Sequence, residues 1–270
     1  YPTSTQLRID GAIYRFDARG YMVTGWVSEG GHWFYYGPSG GQAAGWVKVH
    51  GTWYYLDPIS GEMASGWTKV RDTWYYLASS GAMRTGWMRE GSTWYYLADS
   101  GAMATGWARV GSSWYFFAPS GAMSVGWVKD GGSWYYLDPA TGQMATGWIL
   151  KGLTWYYLNP AGGAMATGWV NDGSSWYYMA PSGALTTGWL KDGGSWYYLS
   201  TDSGAMVTGW VQLGASWYYL QPGSGVMATG WVKVGDDWYY FNPSSGVMAT
   251  GSQWIGWRSY RFADSGQLLS

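Results

Sequence analysis

The sequence predicts an all-β fold in which about a dozen short β-hairpins follow one another and stack into a solenoid. Three observations carry this prediction. The 270 residues include 24 Trp, 25 Tyr and 44 Gly, while charged residues make up only 11%. A Gly-Trp dipeptide recurs along the chain at a nearly constant interval. Aromatic residues favour strands and glycine favours tight turns, whereas the periodic Leu, Ala, Glu and Lys runs of long helices are missing from the sequence.

The repeat has a rigid part and a tolerant part. Gly-Trp occurs 11 times, from Gly25 to Gly230, at spacings of 20 or 21 residues, and a second Trp always follows the first by seven positions. The extra residue of a longer unit falls after this segment, as residues 77–81 and 137–142 show. We therefore expect a fixed element that holds both Trp and a loop that varies in length.

The rigid part has the pattern of a β-hairpin. In one copy, residues 127–129 form a short first strand, residues 130–133 supply turn residues and residues 134–137 form a second strand of high β propensity. Asp138 and Pro139 then end the pairing, because proline lacks an N–H donor. A lone hairpin cannot bury its aromatic face, so the copies are expected to stack on their neighbours.

Both ends of the chain carry degenerate copies. Residues 13–16 (Ile-Tyr-Arg-Phe) and 259–262 (Ser-Tyr-Arg-Phe) keep the inner Tyr and an apolar fourth residue, but Arg replaces the outer Tyr. This divides the chain into a capping repeat over 1–24, eleven two-Trp repeats over 25–250 and a second capping repeat over 251–270. Residues kept at the ends are expected to form the core. The Trp pair and the outer Tyr are then candidates for function, although the demand for a polar cap explains their loss equally simply.

The candidate functional face is an aromatic cage. Strand alternation places the second Trp and the outer Tyr of a hairpin on one face, and we expect the outer Tyr of the next hairpin to close the space beside the Trp pair. Electron-rich ring faces attract a cation, and a quaternary ammonium needs no hydrogen-bond acceptor. Sugars also stack on Trp and Tyr, but few polar side chains lie near the Trp pairs. A structural spacer, whose rings only hold the solenoid together, is the third interpretation.

Other functional classes have little support. A net charge of -1 disfavours nucleic acid as a partner, and no apolar run approaches the ~20 residues that cross a bilayer. Cysteine is absent, and His32 and His50 have no partners at metal-ligand spacing. No nucleophile, acid/base pair or phosphate loop is recognisable. We therefore expect a protein without catalytic site, metal or cofactor that does not insert into membranes.

The segment from Met227 to Phe241, Met-Ala-Thr-Gly-Trp-Val-Lys-Val-Gly-Asp-Asp-Trp-Tyr-Tyr-Phe, resembles the choline-binding repeat of bacterial and phage surface proteins. The wider family includes glucan-binding repeats, but the paired Trp and the Met before Thr-Gly-Trp are more similar to the choline branch. The resemblance covers almost the whole chain. It implies a left-handed β-hairpin solenoid with about three repeats per turn. It also implies choline sites between consecutive hairpins, each made of two Trp from one repeat, a Tyr from the next and a Met or Leu.

Carried over to this sequence, the resemblance gives ten sites, and the pair Trp231 and Trp238 is not counted because its next outer residue is Arg261. The sites are Trp26, Trp33, Tyr55 and Met63; Trp46, Trp53, Tyr76 and Met83; Trp67, Trp74, Tyr96 and Met103; Trp87, Trp94, Phe116 and Met123; Trp107, Trp114, Tyr136 and Met144; Trp127, Trp134, Tyr157 and Met165; Trp148, Trp155, Tyr178 and Leu185; Trp169, Trp176, Tyr198 and Met206; Trp189, Trp196, Tyr219 and Met227; and Trp210, Trp217, Tyr240 and Met248.

The expected function is non-covalent anchoring to choline or phosphocholine on teichoic and lipoteichoic acids, at the extracellular surface of the cell wall. A catalytic or adhesin module outside this chain, linked or separate, is compatible with that role. Basic residues such as Lys48 and Lys129, two positions after the first Trp, are interpreted either as phosphate contacts or as solvated strand residues.

Overall fold

The computed structural model describes residues 2–270, and these form an all-β chain of 26 strands paired as 13 consecutive antiparallel hairpins. None of these residues lies in a helix, and accordingly no helix suited to crossing a membrane occurs among them. The strands are β1 (Thr5–Ile9), β2 (Ala12–Phe16), β3 (Gly25–Glu29), β4 (His32–Tyr36), β5 (Gly45–Val49), β6 (Thr52–Leu56), β7 (Gly66–Val70), β8 (Thr73–Leu77), β9 (Gly86–Glu90), β10 (Thr93–Leu97), β11 (Gly106–Val110), β12 (Ser113–Phe117), β13 (Gly126–Asp130), β14 (Ser133–Leu137), β15 (Gly147–Lys151), β16 (Thr154–Leu158), β17 (Gly168–Asn171), β18 (Trp176–Met179), β19 (Gly188–Asp192), β20 (Ser195–Leu199), β21 (Gly209–Leu213), β22 (Ser216–Leu220), β23 (Gly230–Val234), β24 (Asp237–Phe241), β25 (Gly251–Ile255) and β26 (Arg258–Phe262).

The pairing register of each hairpin decides which side chains share a face. In the hairpin of β19 and β20, Trp189 lies opposite Tyr198 and Lys191 lies opposite Trp196. Since side chains alternate along a strand, these four occupy one face, which we call the Trp face. The inner Tyr, Tyr197, points to the opposite face together with Leu199, the last residue of β20. The Trp face and the inner Tyr therefore look in opposite directions from every hairpin of this type.

Glycine at two kinds of position makes this geometry accessible. The two-residue turn between β19 and β20 is Gly193-Gly194, with φ of 55° and 84°, and Gly188 at the start of β19 has a φ of 79°. Positive φ strains any residue that carries a Cβ atom. The turn and the Gly of Gly-Trp are thus both backbone requirements. Compared with the predicted limits 127–129 and 134–137, β13 is one residue longer at each end and β14 begins one residue earlier and ends at the predicted residue.

The core is a row formed by the fourth residue of the Trp-Tyr-Tyr-Leu segment. Phe16 of the first hairpin is half-buried, and from the second hairpin onward the members are at most 2% exposed, as the sequence predicts: Tyr36, Leu56, Leu77, Leu97, Phe117, Leu137, Leu158, Met179, Leu199, Leu220, Phe241 and Phe262. Burying a side chain of this size contributes roughly 1.5–3 kcal/mol, so the row is the main apolar support of the hairpins.

Backbone hydrogen bonds tie each hairpin to the next. The N–H of Met227 donates to the carbonyl of Trp196 at 2.7 Å, and the N–H of Ala228 donates to the carbonyl of Tyr219 at 2.8 Å. The loop after β22 is therefore bonded both to its own hairpin and to the preceding one. The same pair of bonds recurs along the chain, so the tolerant loop is also the connection between neighbours.

The chain separates into two compact units. One contains the residues up to Gly126 together with Leu137–Met144, and the other contains Trp127–Tyr136 together with Ala145–Ser270. Each unit is built from the same repeated hairpins and inter-hairpin bonds. The predicted all-β hairpin-solenoid class is thus confirmed.

Candidate functional site

The best-defined site lies between the hairpin of β19 and β20 and the hairpin of β21 and β22. Trp189 and Trp196 stand perpendicular, with ring centroids 6.3 Å apart, and Tyr218 of the next hairpin lies 4.9 Å from Trp189. These three rings and Met227 line a cavity of about 240 Å³, to which Ser244 and Ser245 add the only hydroxyl-bearing loop. The walls are therefore mainly π faces and one thioether.

The same arrangement recurs. Trp210, Trp217, Tyr239 and Met248 line a second cavity of about 390 Å³, and Trp169, Trp176, Tyr197 and Met206 line a third. Between hairpins, the first Trp and the next inner Tyr have centroids 4.7–5.0 Å apart in the pairs Trp26–Tyr54, Trp46–Tyr75, Trp67–Tyr95, Trp87–Tyr115, Trp127–Tyr156, Trp148–Tyr177, Trp169–Tyr197, Trp189–Tyr218, Trp210–Tyr239 and Trp231–Tyr260.

The ring contacts favour a different Tyr from the one that the sequence interpretation assigned. The sequence interpretation assigned the outer Tyr of the next hairpin to each site, but that ring packs on the first Trp of its own hairpin, with centroids 4.9–5.3 Å apart. These pairs are Trp46–Tyr55, Trp67–Tyr76, Trp87–Tyr96, Trp107–Phe116, Trp127–Tyr136, Trp148–Tyr157, Trp169–Tyr178, Trp189–Tyr198, Trp210–Tyr219 and Trp231–Tyr240. The reason is alternation: the inner Tyr is on the face that looks back at the preceding hairpin.

Two outer Tyr rings are packed inside their hairpins, although the sequence interpretation treated this position as a candidate for function. Tyr136 and Tyr157 are only 6% and 8% exposed, so these rings belong to the packed interior of their hairpins. Their direct cross-strand position opposite the first Trp accounts for this burial, since facing pairs on one side of a hairpin are its closest side-chain neighbours.

The C-terminal repeat explains why the ends misled the interpretation. Tyr260 lies 4.9 Å from Trp231, and the N–H of Leu268 donates to the carbonyl of Trp238 at 2.8 Å. The inner Tyr that the last repeat keeps therefore contacts the preceding hairpin. Arg261 pairs with Ser252 inside its own hairpin, and the ring that contacts Trp231 is Tyr260. An aromatic set therefore also exists at the Trp pair that the sequence interpretation did not count.

The second Trp is the most accessible ring of each set. The second Trp of each two-Trp repeat is 38–46% exposed, whereas the last residue of the same Trp-Tyr-Tyr-Leu segment is fully buried. The predicted Met and Leu positions lie beside it, because their N–H groups donate to its carbonyl at 2.7–2.9 Å. The bonded residues are Met63, Met83, Met103, Met123, Met144, Met165, Leu185, Met206, Met227 and Met248. One open side and a fixed thioether wall describe a site that a small ligand can enter.

Charged groups beside the rings differ from site to site. The indole N–H of Trp67 donates to Glu90 at 2.8 Å, that of Trp148 to Asp172 at 3.1 Å and that of Trp169 to Asp192 at 3.0 Å. The pKa of Asp172 is held well below its usual range by hydrogen bonds to its carboxylate. The hydroxyl of Ser174 has the largest effect, followed by the backbone N–H of Ser174 and the indole N–H of Trp148. These contacts join residues 23 or 24 positions apart in adjacent hairpins, and the sequence interpretation did not predict them.

Basic side chains approach the same rings. Four of them lie over the second Trp of their own hairpin at 5.7–5.9 Å from the ring centroid: Lys48 over Trp53, Arg89 over Trp94, Lys129 over Trp134 and Lys191 over Trp196. Lys151 instead reaches back to the preceding hairpin, where its ammonium lies 4.1 Å from the centroid of Tyr136. Basic side chains of the chain itself thus lie over these rings, where the quadrupole of an aromatic ring favours a cation.

Comparison with known families gives a consistent result. The family described as choline-binding repeat matches residues 3–44, 30–66, 64–105, 104–146, 166–210, 207–254 and 228–270, and a family described as cell wall binding repeat matches residues 146–164. A search of curated proteins found no match.

Several solved structures are similar to the chain. CbpJ from Streptococcus pneumoniae TIGR4 is 34% identical with a TM-score of 0.69, over 90% of this chain and 99% of that one. Choline binding protein F from Streptococcus pneumoniae is 31% identical with a TM-score of 0.66, over 91% and 98%. A structure of choline binding protein F in the presence of a peptidoglycan analogue is 29% identical with a TM-score of 0.68, over 91% and 98%.

Proposed function

Because the chain belongs to the family of choline-binding repeat proteins, we propose that its inter-hairpin cages hold the trimethylammonium group of choline and anchor the protein to choline-bearing teichoic and lipoteichoic acids of a bacterial cell wall. Each cage consists of the two Trp of one hairpin, the inner Tyr of the next and the following Met or Leu. The family and the similar structures point to a binding module without catalysis, at the extracellular surface.

The observation that carries this proposal is the three-ring set itself. In the cage of Trp189, Trp196 and Tyr218 the first ring is inclined by 90° to the second and by 66° to the third, and all three rings line one cavity. A cation bound there gains from several faces at once. A quaternary ammonium is favoured over a primary one because it has no N–H groups that would lose water without finding an acceptor.

The energetics suit a repeated site. Each cation–π contact contributes roughly 0.5–2 kcal/mol, so a three-ring cage corresponds to a dissociation constant near the millimolar range. A polymer that displays many cholines engages several cages of one chain, and the effective concentration of the second and later ligands raises the overall affinity by roughly 10²–10⁴. Weak single sites and firm attachment to a wall are therefore compatible.

The proposal is tested by isothermal titration with choline and two matched controls. Ethanolammonium keeps the charge and lacks the methyl groups, whereas 3,3-dimethyl-1-butanol keeps the shape and lacks the charge. Choline is expected to bind in the millimolar range, and both controls at least about tenfold more weakly, because the cage needs a charged group that is cheap to desolvate.

Sugar binding is the outcome that would overturn the proposal. Absence of heat and of any Trp fluorescence change at tens of millimolar choline, together with retention on dextran, would identify a glucan-binding array instead. The wall ligand is tested separately by co-sedimentation with purified cell walls. Walls whose teichoic acid carries choline are expected to retain the protein, and walls that carry ethanolamine in its place are not.

A further inference from the structure

The position four residues after the Gly of Gly-Trp, here called the strand-end residue, lies against the preceding hairpin. Five contacts show this. Glu29 forms an ion pair with Arg15. The carboxylates of Glu90, Asp172 and Asp192 accept hydrogen bonds from the indole N–H groups of Trp67, Trp148 and Trp169, respectively. Lys151 lies over the ring of Tyr136. In four of these contacts the strand-end residue reaches the Trp face of the preceding hairpin, and Glu29 reaches Arg15, which occupies the outer-Tyr position of the first hairpin.

The strand-end residue varies although the cages do not. It is acidic in Glu29, Glu90, Asp130, Asp172 and Asp192, basic in Lys151, and apolar in Val49, Val70, Val110, Leu213, Val234 and Ile255. A carboxylate bonded to the indole N–H places negative charge at the edge of a cage ring and increases the electron density of that ring. An ammonium over Tyr136 places positive charge beside Trp127, the cage ring on which Tyr136 packs.

We infer that the strand-end residue of each hairpin sets the cation affinity of the preceding cage, so that the affinities of the sites are graded. Cages next to an acidic strand-end residue fill first, cages next to an apolar one fill next, and the cage next to Lys151 fills last. The inference rests on the proposed function and assigns unequal roles to sites that the repeat pattern presents as equal. The chain then holds a choline-bearing polymer firmly at a few hairpins while the others exchange.

Two comparisons isolate the strand-end residue from the basic residue on the same Trp face. The cage of Trp169 has Asp192, whereas the cage of Trp210 has Val234, and neither carries a basic residue opposite its second Trp, since those positions are Asn171 and Gln212. The cages of Trp127 and Trp46 both have a lysine over the second Trp. They differ in the strand-end residue, which is Lys151 for the cage of Trp127 and Val70 for the cage of Trp46.

The methionine walls provide a separate reporter for each of these four cages. The N–H of Met206 bonds to Trp176, that of Met248 to Trp217, that of Met165 to Trp134 and that of Met83 to Trp53. Each ε-methyl therefore lies at its own ring set and feels the ring currents there. Choline titration of the full chain labelled with 13C at the methionine methyls, assigned by single Met→Leu variants, gives one binding curve per cage.

The Met206 methyl is expected to reach half-saturation at the lowest choline concentration, the Met248 and Met83 methyls at a higher one and the Met165 methyl at the highest. Each step in that concentration is expected to be roughly two- to fivefold, the range of a partly exposed charge pair. Asp192→Asn keeps the acceptor for the Trp169 indole and removes the charge, so the Met206 curve is expected to move to that of Met248. Lys151→Val is expected to move the Met165 curve to that of Met83. Raising NaCl to 0.5 M is expected to compress the order, because exposed charges are screened.

Coincident curves for all four methyls, or an unchanged Met206 curve in Asp192→Asn, would overturn the grading while leaving choline binding intact. A shift of the Met206 curve that salt does not reduce would show that the carboxylate only orients the indole, and this too contradicts the inference. If no methionine methyl responds to choline, the proposed function itself fails, and the grading fails with it.

Discussion

At the scale of the residue, the direction of one side chain decides which ring belongs to which site. Tyr218 and Tyr219 are adjacent, yet the first lies 4.9 Å from Trp189 of the preceding hairpin and the second lies 5.0 Å from Trp210 of its own. Strand alternation gives this result, since neighbouring side chains point to opposite faces. Two residues of the same type therefore serve two different cages.

This assignment predicts separate effects for the two positions. Tyr218→Leu keeps apolar bulk and removes one π face, so we expect choline binding to weaken about 2- to 30-fold at the cage reported by Met227, with the Met248 response unchanged. Tyr219→Leu is expected to alter the Met248 response and to spare Met227. The methionine-methyl titration measures both, and the reversed result would restore the outer Tyr to the site.

At the scale of the element, the loop glycine connects folding to the site wall. Gly183 has a φ of 82°, and a Cβ atom built there would lie 2.2 Å from the sulfur of Met165. Gly188, at the start of β19, has nearly the same φ of 79° with no atom within 4 Å of the added Cβ position. The loop glycine is thus needed both for its backbone conformation and for the room it leaves to a methionine of the preceding loop.

A pair of alanine substitutions separates these two demands. Gly188→Ala is expected to lower the free energy of unfolding by about 1–2 kcal/mol through backbone strain alone. Gly183→Ala is expected to cost about 1–3 kcal/mol more, because Met165 must move, and to shift the Met165 methyl resonance. Urea denaturation followed by Trp fluorescence gives the energies. Equal losses in the two variants would contradict the close approach.

At the scale of the whole molecule, stability depends on a row of residues that the ligand does not touch. Leu199 and its equivalents are fully buried, whereas the cage rings beside them remain partly open. Every strand in residues 2–270 pairs with its sequence neighbour, so the core is assembled hairpin by hairpin. Binding and folding therefore use different faces of the same second strand, except at the inner Tyr.

Leu199→Ala tests this division of labour. We expect a loss of about 2–5 kcal/mol in the free energy of unfolding, because a fully buried side chain leaves a cavity. Leu153→Ala is the matched control, since Leu153 lies exposed in a hairpin turn and should change stability by no more than about 0.5 kcal/mol. Similar losses in both variants, measured by urea denaturation, would show that the row is not the core.

Much of the candidate site follows from the chain alone. The two Trp of each repeat, the Met or Leu that follows and the buried fourth residue are all recoverable from a fixed spacing, because a local hairpin register depends only on nearby residues. The inner Tyr was missed because its partner lies in another hairpin. The repeat pattern contains no signal for which face looks backward, and the terminal repeats suggested a core role for a residue that closes a site.

The sequence by itself determined the hairpin, its turn, the position of its core residue and the aromatic character of the face, since all of these follow from a pattern that repeats every 20 or 21 residues. Only the tertiary structure decided how one hairpin meets the next. That contact assigns Tyr239 in place of Tyr240 to the cage of Trp210, adds the set of Trp231 and Tyr260, and places Asp192 at the Trp169 indole. Side-chain direction across an interface depends on how two elements stack, and a repeat pattern does not contain that relation.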